Sequence, residues 1–538
     1  MTLIRGLLFA LAVGLLVPGH AFAQQTGGPC PRPAPGAVVS PPPDLYSQNG
    51  VLQVAMSYYT GVDAFNRTEF CFVTSDGSEG PTLHVNPGDQ ILITLTDMVP
   101  NAPGSPEEVV SAGNAATFCM ASTMTAASVN MHFHGTNVAP SCHSDEVIRT
   151  IINSGQSYQF NLHIPADEPP GLYWYHSHIH GIASPSVQGG ATGVIEVEGI
   201  SNLEPVVAGL PQRYLVIRDQ ARANPPQSNF PDVPFWDVSL NYVPVNYPHY
   251  TPAIIEMNPG AQEFWRVANT SADTVMDLSL TYDGVVQPLM LVALDGVPIG
   301  SQDGKHQGTT ITQNDVYIPP AGRAEFVVTG PAASVKSAVF STAKIDTGPE
   351  GDNDPPRPLA AIQTTQENLH LASMPAQSGP PHPQRFEGLA HAKVTAKRKL
   401  FFSERVGPWG GNAQFFITVN NQIPEVFNPN NPPEVITHQG AVEDWTIQNR
   451  SEEVHEFHIH QIHFLLLAVN GVPVPPAQRQ FYDTYQVGYW KGKGKFPSIT
   501  VRMDFRGAVV GDFVYHCHIL DHEDAGMMAK IEVLPASK

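Results

Sequence analysis

Near the C-terminal end of the chain, Cys517 is followed by His522 and Met527 at five-residue steps, and His455 stands upstream. One thiol, two imidazoles and a thioether form a soft donor set, suited to copper cycling between Cu(I) and Cu(II) in an electron-transfer site. Zinc favours closed tetrahedral sites and gains nothing from a weak thioether. Eight further histidines come as four His-x-His pairs: His132/His134, His176/His178, His458/His460 and His516/His518. On a strand, residues i and i+2 share a face, so each pair offers two imidazoles in one direction. Four such pairs can line an interface and hold several metal ions. The tripeptide His516-Cys517-His518 joins the two donor sets covalently, so an electron arriving at the thiolate can leave along the backbone to either imidazole.

The elements that must position these residues repeat three times. Val85 to Asp97, Met257 to Asn269 and Thr437 to Asn449 each carry a turn glycine (Gly88, Gly260, Gly440), then alternating apolar and polar residues, then Asp or Asn nine residues after the glycine. Alternation is the period of a half-buried strand, and self-similarity at this spacing predicts three related β-domains. Histidines follow two of the copies. After Asn449 come His455, His458 and His460; the same offsets from Asn269 hold Val275, Leu278 and Leu280. The first copy, after an insertion, keeps His132 and His134 and has Val129 at the third place. Likewise Ser177 replaces the cysteine between His176 and His178, and Ile182 falls where His522 would. Only the last repeat carries the full set, and the middle one is expected to serve spacing and burial.

A chain of 538 residues is too long for one core, and two to four domains are expected. Only 14% of residues are charged while Gly (45) and Pro (51) abound, which favours short strands joined by turns over long charged helices. A net charge of −21 argues against nucleic acid or anionic lipid as partner. Arg5, the apolar run Leu7 to Val17 and Ala21-Phe22-Ala23 read as a cleavable export signal over residues 1–23, too short to span a bilayer. A periplasmic or secreted protein with no membrane span follows. Four of its five cysteines, Cys30, Cys71, Cys119 and Cys142, cluster in the first third and suggest two disulfides, with three connectivities open. Cys517 is left over.

Together these blocks resemble the three-domain multicopper oxidases, the family of laccases, ascorbate oxidase, bilirubin oxidase and bacterial copper-resistance oxidases, over essentially the whole mature chain. The resemblance implies an all-β fold of three cupredoxin-like Greek-key barrels. It implies about four coppers per chain: type 1 copper on His455, Cys517 and His522 with Met527 axial, type 2 on His132 and His458, and a type 3 pair on His134, His176, His178, His460, His516 and His518. Dioxygen and a small-molecule or metal-ion electron donor are the implied partners, for a chain expected to be a monomer. Reducing dioxygen consumes protons. Glu523 matches an acidic position that many bacterial relatives use in proton delivery, and Asp145 falls near another, with Glu146 competing for it.

Two departures stand out. The first block reads His-Phe-His-Gly where many relatives have Trp, and Glu456 follows His455 in place of the frequent Pro. No methionine-rich insertion points to cuprous ion as a special substrate. His143, His180 and His463 have no place in the pattern. The first domain is expected over 24–199, the second over 200–347, a Pro- and polar-rich linker over 348–398 and the third domain over 399–538. The expected function is one-electron oxidation of a phenolic, aromatic or metal-ion donor at type 1 copper, coupled to four-electron reduction of dioxygen to water. The competing reading is a copper-sequestering protein, which would have little use for His-Cys-His. A two-domain nitrite reductase would carry its blue site in the first domain, where Ser177 and Val129 stand.

Overall fold

The computed structural model describes residues 28–101, 108–109, 123–223, 232–303, 308–367, 369–374, 385–407, 411–420 and 422–536. The expected export signal, Cys119 and the Pro-rich stretch at 379–383 lie outside these residues. Three two-sheet β-sandwiches follow one another along the chain. The first packs a four-stranded sheet against a five-stranded one, the second an eight- against a six-stranded sheet, and the third a seven- against a five-stranded sheet. Among the described residues no helix is long and apolar enough to cross a membrane.

Each repeat becomes the same strand in the same place. Gln90–Asp97, Gln262–Asn269 and Val442–Asn449 each pair parallel to an earlier strand and antiparallel to a later one. The turn glycines before them have φ of 91°, 69° and 93°. A side chain there would meet nothing within 4 Å, so backbone conformation, not space, selects glycine. The closing Asp or Asn also has a reason. Asn269 donates to Thr274, Ile318 and Pro319 carbonyls, Asn449 donates to those of Glu453 and Val487, and Asp97 accepts from the Val99 amide. Each side chain thus holds the loop that follows its strand.

The outer two repeat strands alternate buried and half-buried residues, but Gln262–Asn269 is buried at every position after the first. The first sandwich covers its outer face. Ala268 packs with Leu172, Trp174 and Val194, and Arg266 pairs with Glu196 and Glu325. The expected linker also differs from expectation. Arg357–Thr364 is a central strand of the second sandwich, between Ala253–Met257 and Ala338–Thr342. Leu359, Ala360 and Ile362 enter the core, and Pro358 is tolerated because the register shifts beside it. The third sandwich begins by Ala396. Cys30 and Cys71 form a disulfide, and Cys142 is also disulfide-bonded.

The histidine pairs ride on matching strands of the outer sandwiches. His132–His134 lies antiparallel to Gly171–His176, with His132 opposite His176. His455–Ile459 lies antiparallel to Gly511–Cys517, with His458 opposite His516. In the middle sandwich the corresponding Leu278 and Leu280 are core residues with no exposure.

Candidate metal centre

Ring stacking interleaves the two outer sandwiches. His132 stacks on His460 at 3.8 Å between centroids, and His134 on His458 at 4.0 Å, each within 15° of parallel. The Nε2 atoms of His178 and His460 each lie 3.2 Å from Nε2 of His516. All eight paired histidines are buried, to 1% exposure or less. Burial, followed by the neighbouring imidazoles, holds His134, His178, His458, His460 and His518 well below the usual histidine range, and brings His516 down to about 3. These rings are neutral at physiological pH, so each has one N–H and one lone pair.

Five of the eight rings have an outward partner for an N–H group. His132 Nδ1 donates to Asp145 at 2.9 Å, His134 Nε2 to Asp483 at 3.1 Å and His458 Nδ1 to the Asp483 carbonyl at 2.8 Å. His176 and His516 donate from Nδ1 to the Ser177 and Cys517 carbonyls. The opposite nitrogens of His132, His134, His176 and His458 are buried without a partner, as is Nδ1 of His460. Lone pairs converging on a shared interior with no donor to meet them fit metal cations and little else.

The second donor set lies on the far side of the same strand. Nδ1 of His455 and Nδ1 of His522 are 3.1 Å apart and lie 3.7 and 3.9 Å from Cys517 Sγ. His455 is fixed by Ser451 Oγ at its other nitrogen, and the Glu456 amide donates to Sγ at 3.4 Å. Burial pushes the Cys517 thiol well up, so its thiolate needs a cation beside it. The backbone of Met527 closes the loop. Its N–H donates to the His522 carbonyl and its carbonyl accepts from the Cys517 amide. Because alternate residues of a strand face opposite ways, Cys517 serves one set while His516 and His518 serve the other.

Two sequence-family models, both described as multicopper oxidase, match residues 108–201 and 407–537. These are the segments that carry the ligand blocks. Over these two segments the chain matches the multicopper oxidase family. It is 24% identical over 310 residues to a laccase of Bacillus subtilis, covering 53% of each chain. It is 33% identical over 95 residues to a multicopper oxidase of Staphylococcus haemolyticus, covering 17% of this chain and 20% of that one. The chain therefore spans about half the length of the first relative and less of the second. A solved multicopper oxidase of Campylobacter jejuni, described as a metallo-oxidase, shares the fold, with a TM-score of 0.64, 21% identity and coverage of 94% and 96%. The nearly all-β architecture is thus that of multicopper oxidases, with cupredoxin-like domains. The match to that family implies copper, and the donor chemistry above fits it.

The histidine blocks are backed by carboxylates. Asp145 is buried against His132 and also accepts from the Phe133 amide and the Gln461 side chain. Glu146 turns away, accepting from the Arg149 amide and Thr150 hydroxyl. Glu523 lies 3.7 Å from Nδ1 of His178 and 3.6 Å from Nδ1 of His516, with no hydrogen-bond partner for either oxygen. Burial, then Asp524, pushes its carboxyl well up. On the other side, Glu453 lies 3.4 Å from Nε2 of His522. Burial, then Glu404, Asp352 and Glu350, push Glu453 up to about 11.

Four residues near the ligands escaped the sequence reading: Asp483, Arg323, Asp295 and Glu453. None belongs to a repeat or a spaced motif, and a lone carboxylate between Tyr482 and Thr484 carries no signal of its own. Arg323 and Asp295 belong to the middle sandwich and reach Asp483 of the third. His463 is also engaged, donating to the Asp295 carbonyl at 2.8 Å. A small apolar cavity of about 30 Å³ adjoins His178 and His180, lined by Ile151, Ile179, Val514 and Met528.

Proposed function

We propose that the chain is a copper-dependent oxidase that takes electrons singly from a reducing substrate near His522 and delivers them to dioxygen held among the paired histidines, yielding water. Copper would supply the one-electron couple at the thiolate site and four-electron reduction at the histidine cluster, with about four ions per chain. His455, Cys517 and His522, together with Met527, would hold the type 1 ion. His132 and His458 would hold type 2, and His134, His176, His178, His460, His516 and His518 the type 3 pair.

The observation that carries this reading is the strand Gly511–Cys517 and the residue after it, which join the thiolate to two cluster imidazoles through three consecutive residues. A sequestering protein needs donors but no such connection. Glu523, unpaired between His178 and His516, suits proton delivery to the cluster, and Asp145 holds the His132 ring while offering a second carboxylate. The apolar cavity beside His178 suits a small nonpolar molecule such as dioxygen. For the donor, Glu453 at the Nε2 edge of His522 offers an oxygen ligand that could exchange its proton for a metal cation, which favours such a donor over a neutral phenol. The signal over residues 1–23 would send the protein to the periplasm or outside the cell.

The test is copper per chain beside steady-state oxygen uptake by the copper-loaded full chain, with phenols, aromatic amines, bilirubin, cuprous ion and manganous ion as donors. The expected protein is blue, holds about four coppers and consumes oxygen fastest with a cationic donor. Full copper without oxygen uptake from any donor replaces the oxidase with the sequestering reading, and a protein holding chiefly zinc overturns both.

A further inference from the structure

The middle sandwich supplies no ligand, yet one of its arginines lies beside the histidine cluster. Arg323 opens the strand Arg323–Thr329 and has no measurable exposure beyond 1%. Its guanidinium donates to both carboxylate oxygens of Asp483, to the Ala321 carbonyl at 2.8 Å and to the Leu172 carbonyl at 3.2 Å. Asp483, from the third sandwich, in turn accepts from His134 of the first through its side chain and from His458 of the third through its backbone carbonyl. Asp295, beside Arg323 in the middle sandwich, fixes the same backbone. Its Oδ2 accepts from the Asp483 and Thr484 amides at 3.2 and 3.4 Å, and its Oδ1 from the Arg323 amide at 2.9 Å.

We propose that Arg323 and Asp295 are positioning residues that clamp Asp483, and that Asp483 thereby sets which ring nitrogen His134 and His458 present to copper. The two rings use opposite nitrogens. His134 gives its Nε2 proton to Asp483 and keeps the Nδ1 lone pair free, whereas His458 gives its Nδ1 proton and keeps Nε2 free. A neutral imidazole has one donor and one acceptor, so the partner of one nitrogen decides the role of the other. An unclamped carboxylate could rotate away from Nε2 of His134; a bidentate guanidinium prevents it.

The backbone makes room for this clamp. A Cβ on Gly135 would lie 2.6 Å from both Arg323 Nη2 and Asp483 Oδ2. A Cβ on Gly171 would overlap the backbone of Gly296, and one on Gly296 would meet the Tyr173 ring at 2.6 Å. Gly296 follows Asp295, and Gly171 precedes Leu172, so these bare positions let the middle sandwich approach closely enough for its charges to reach the cluster. An arginine that merely glued two domains together would need no such access to ligand-bearing residues.

The inference rests on the copper reading, and the experiment separates the two. Copper-loaded full-length wild type, Arg323→Lys, Arg323→Gln and Asp483→Asn are compared by copper per chain, copper affinity of the histidine cluster, electron paramagnetic resonance and thermal unfolding. Arg323→Gln and Asp483→Asn should keep the blue thiolate site but weaken cluster copper by about 10- to 100-fold and alter the type 2 spectrum. Arg323→Lys, which keeps the charge, should recover part of both. Unchanged cluster affinity and spectrum with only a lowered unfolding temperature would overturn the proposal, leaving a structural ion pair. A second measurement needs no variant. In the fully reduced, diamagnetic wild type, histidine-selective ¹⁵N spectra should find ring protons on Nε2 of His134 and Nδ1 of His458, and a proton on Nδ1 of His134 overturns the assignment. Wild type without copper in the cluster would instead sink the copper reading.

Discussion

Two strands occupy equivalent places in the repeat and do opposite things. Met276–Tyr282 of the middle sandwich and His455–Ile459 of the third each follow a turn-glycine strand and each pair antiparallel with a later strand of the same sheet. Leu278 and Leu280 of the first have no exposure, and neither have His458 and His460 of the second. Burial alone therefore does not tell a ligand from a core residue. Company does. The leucines pack among Trp265, Val316 and Phe340 in a continuous apolar core, while the histidines face other imidazoles across a domain boundary and keep unpartnered nitrogens. The framework accepts either filling because the strand's own ladder satisfies the backbone whichever side chains it bears.

The largest break in this comparison comes from the residue that exists only in the third sandwich. Cys517→Ser substitutes a hard, weakly acidic hydroxyl of similar size for the thiolate. The variant should fold, keep about three coppers in the cluster and lose its blue colour, and oxygen uptake with any organic reductant should fall by several orders of magnitude. Copper analysis and an oxygen electrode decide it. Oxygen uptake that survives in the variant would mean that electrons enter elsewhere.

Leu280→Ala tests the other half. Removing a fully buried leucine from a closed core costs about 2 to 5 kcal/mol, read by chemical unfolding, while copper per chain in the folded protein stays unchanged. Loss of a specific copper with stability intact would place a metal role where none is expected and end the contrast between the two strands.

The contrast was legible in the sequence because both periods involved are short. Alternation over eight residues and His-x-His at two residues survive on any strand, so the three repeats, the ten histidines, Cys517 and Met527 all stand out from spacing alone. The strand Arg357–Thr364 was hidden by its surroundings: flanking prolines suggested a linker, although Leu359, Ala360 and Ile362 enter the core. Choosing Asp145 or Glu146 required geometry, because the two are adjacent in sequence and only Asp145 meets His132. Arg323 and Asp483 lie 160 residues apart and meet at Oδ1 at 2.8 Å. No local pattern announces a contact of that range, and charged residues buried at a joint between domains read, in sequence, as ordinary surface charge.

Met527→Leu sharpens the comparison within the thiolate site. Leucine keeps nearly the same volume and apolar character, and the Met527 backbone contacts to His522 and Cys517 remain available. On the proposed ligand set, copper and colour should persist, while the type 1 potential rises because the thioether proposed to stabilise the oxidised ion is gone. Redox titration of the blue band measures it. Loss of the type 1 copper, or a potential that does not move, would remove Met527 from the axial position.

The smallest expected effect belongs to Glu456. Its amide donates to Cys517 Sγ at 3.4 Å, a bond that a proline at this position could not make. Sulfur carries more negative charge when the site is reduced, because less of it is donated to the metal, so an N–H donor favours the reduced form and raises the potential. The Glu456 carbonyl already accepts from the His518 amide at 2.8 Å. Its N–H goes to sulfur, and a ring nitrogen therefore deletes that bond while the carbonyl contact can stay. Glu456→Ala serves as the control, since it removes the buried carboxyl but keeps the amide. A net hydrogen bond of about 1 kcal/mol corresponds to about 40 mV for a one-electron couple. Glu456→Pro should titrate about 40 mV below Glu456→Ala, with copper content equal in the two. Equal potentials would mean that the amide contributes geometry alone, and the blue site would then be tuned by Met527 and its apolar surroundings.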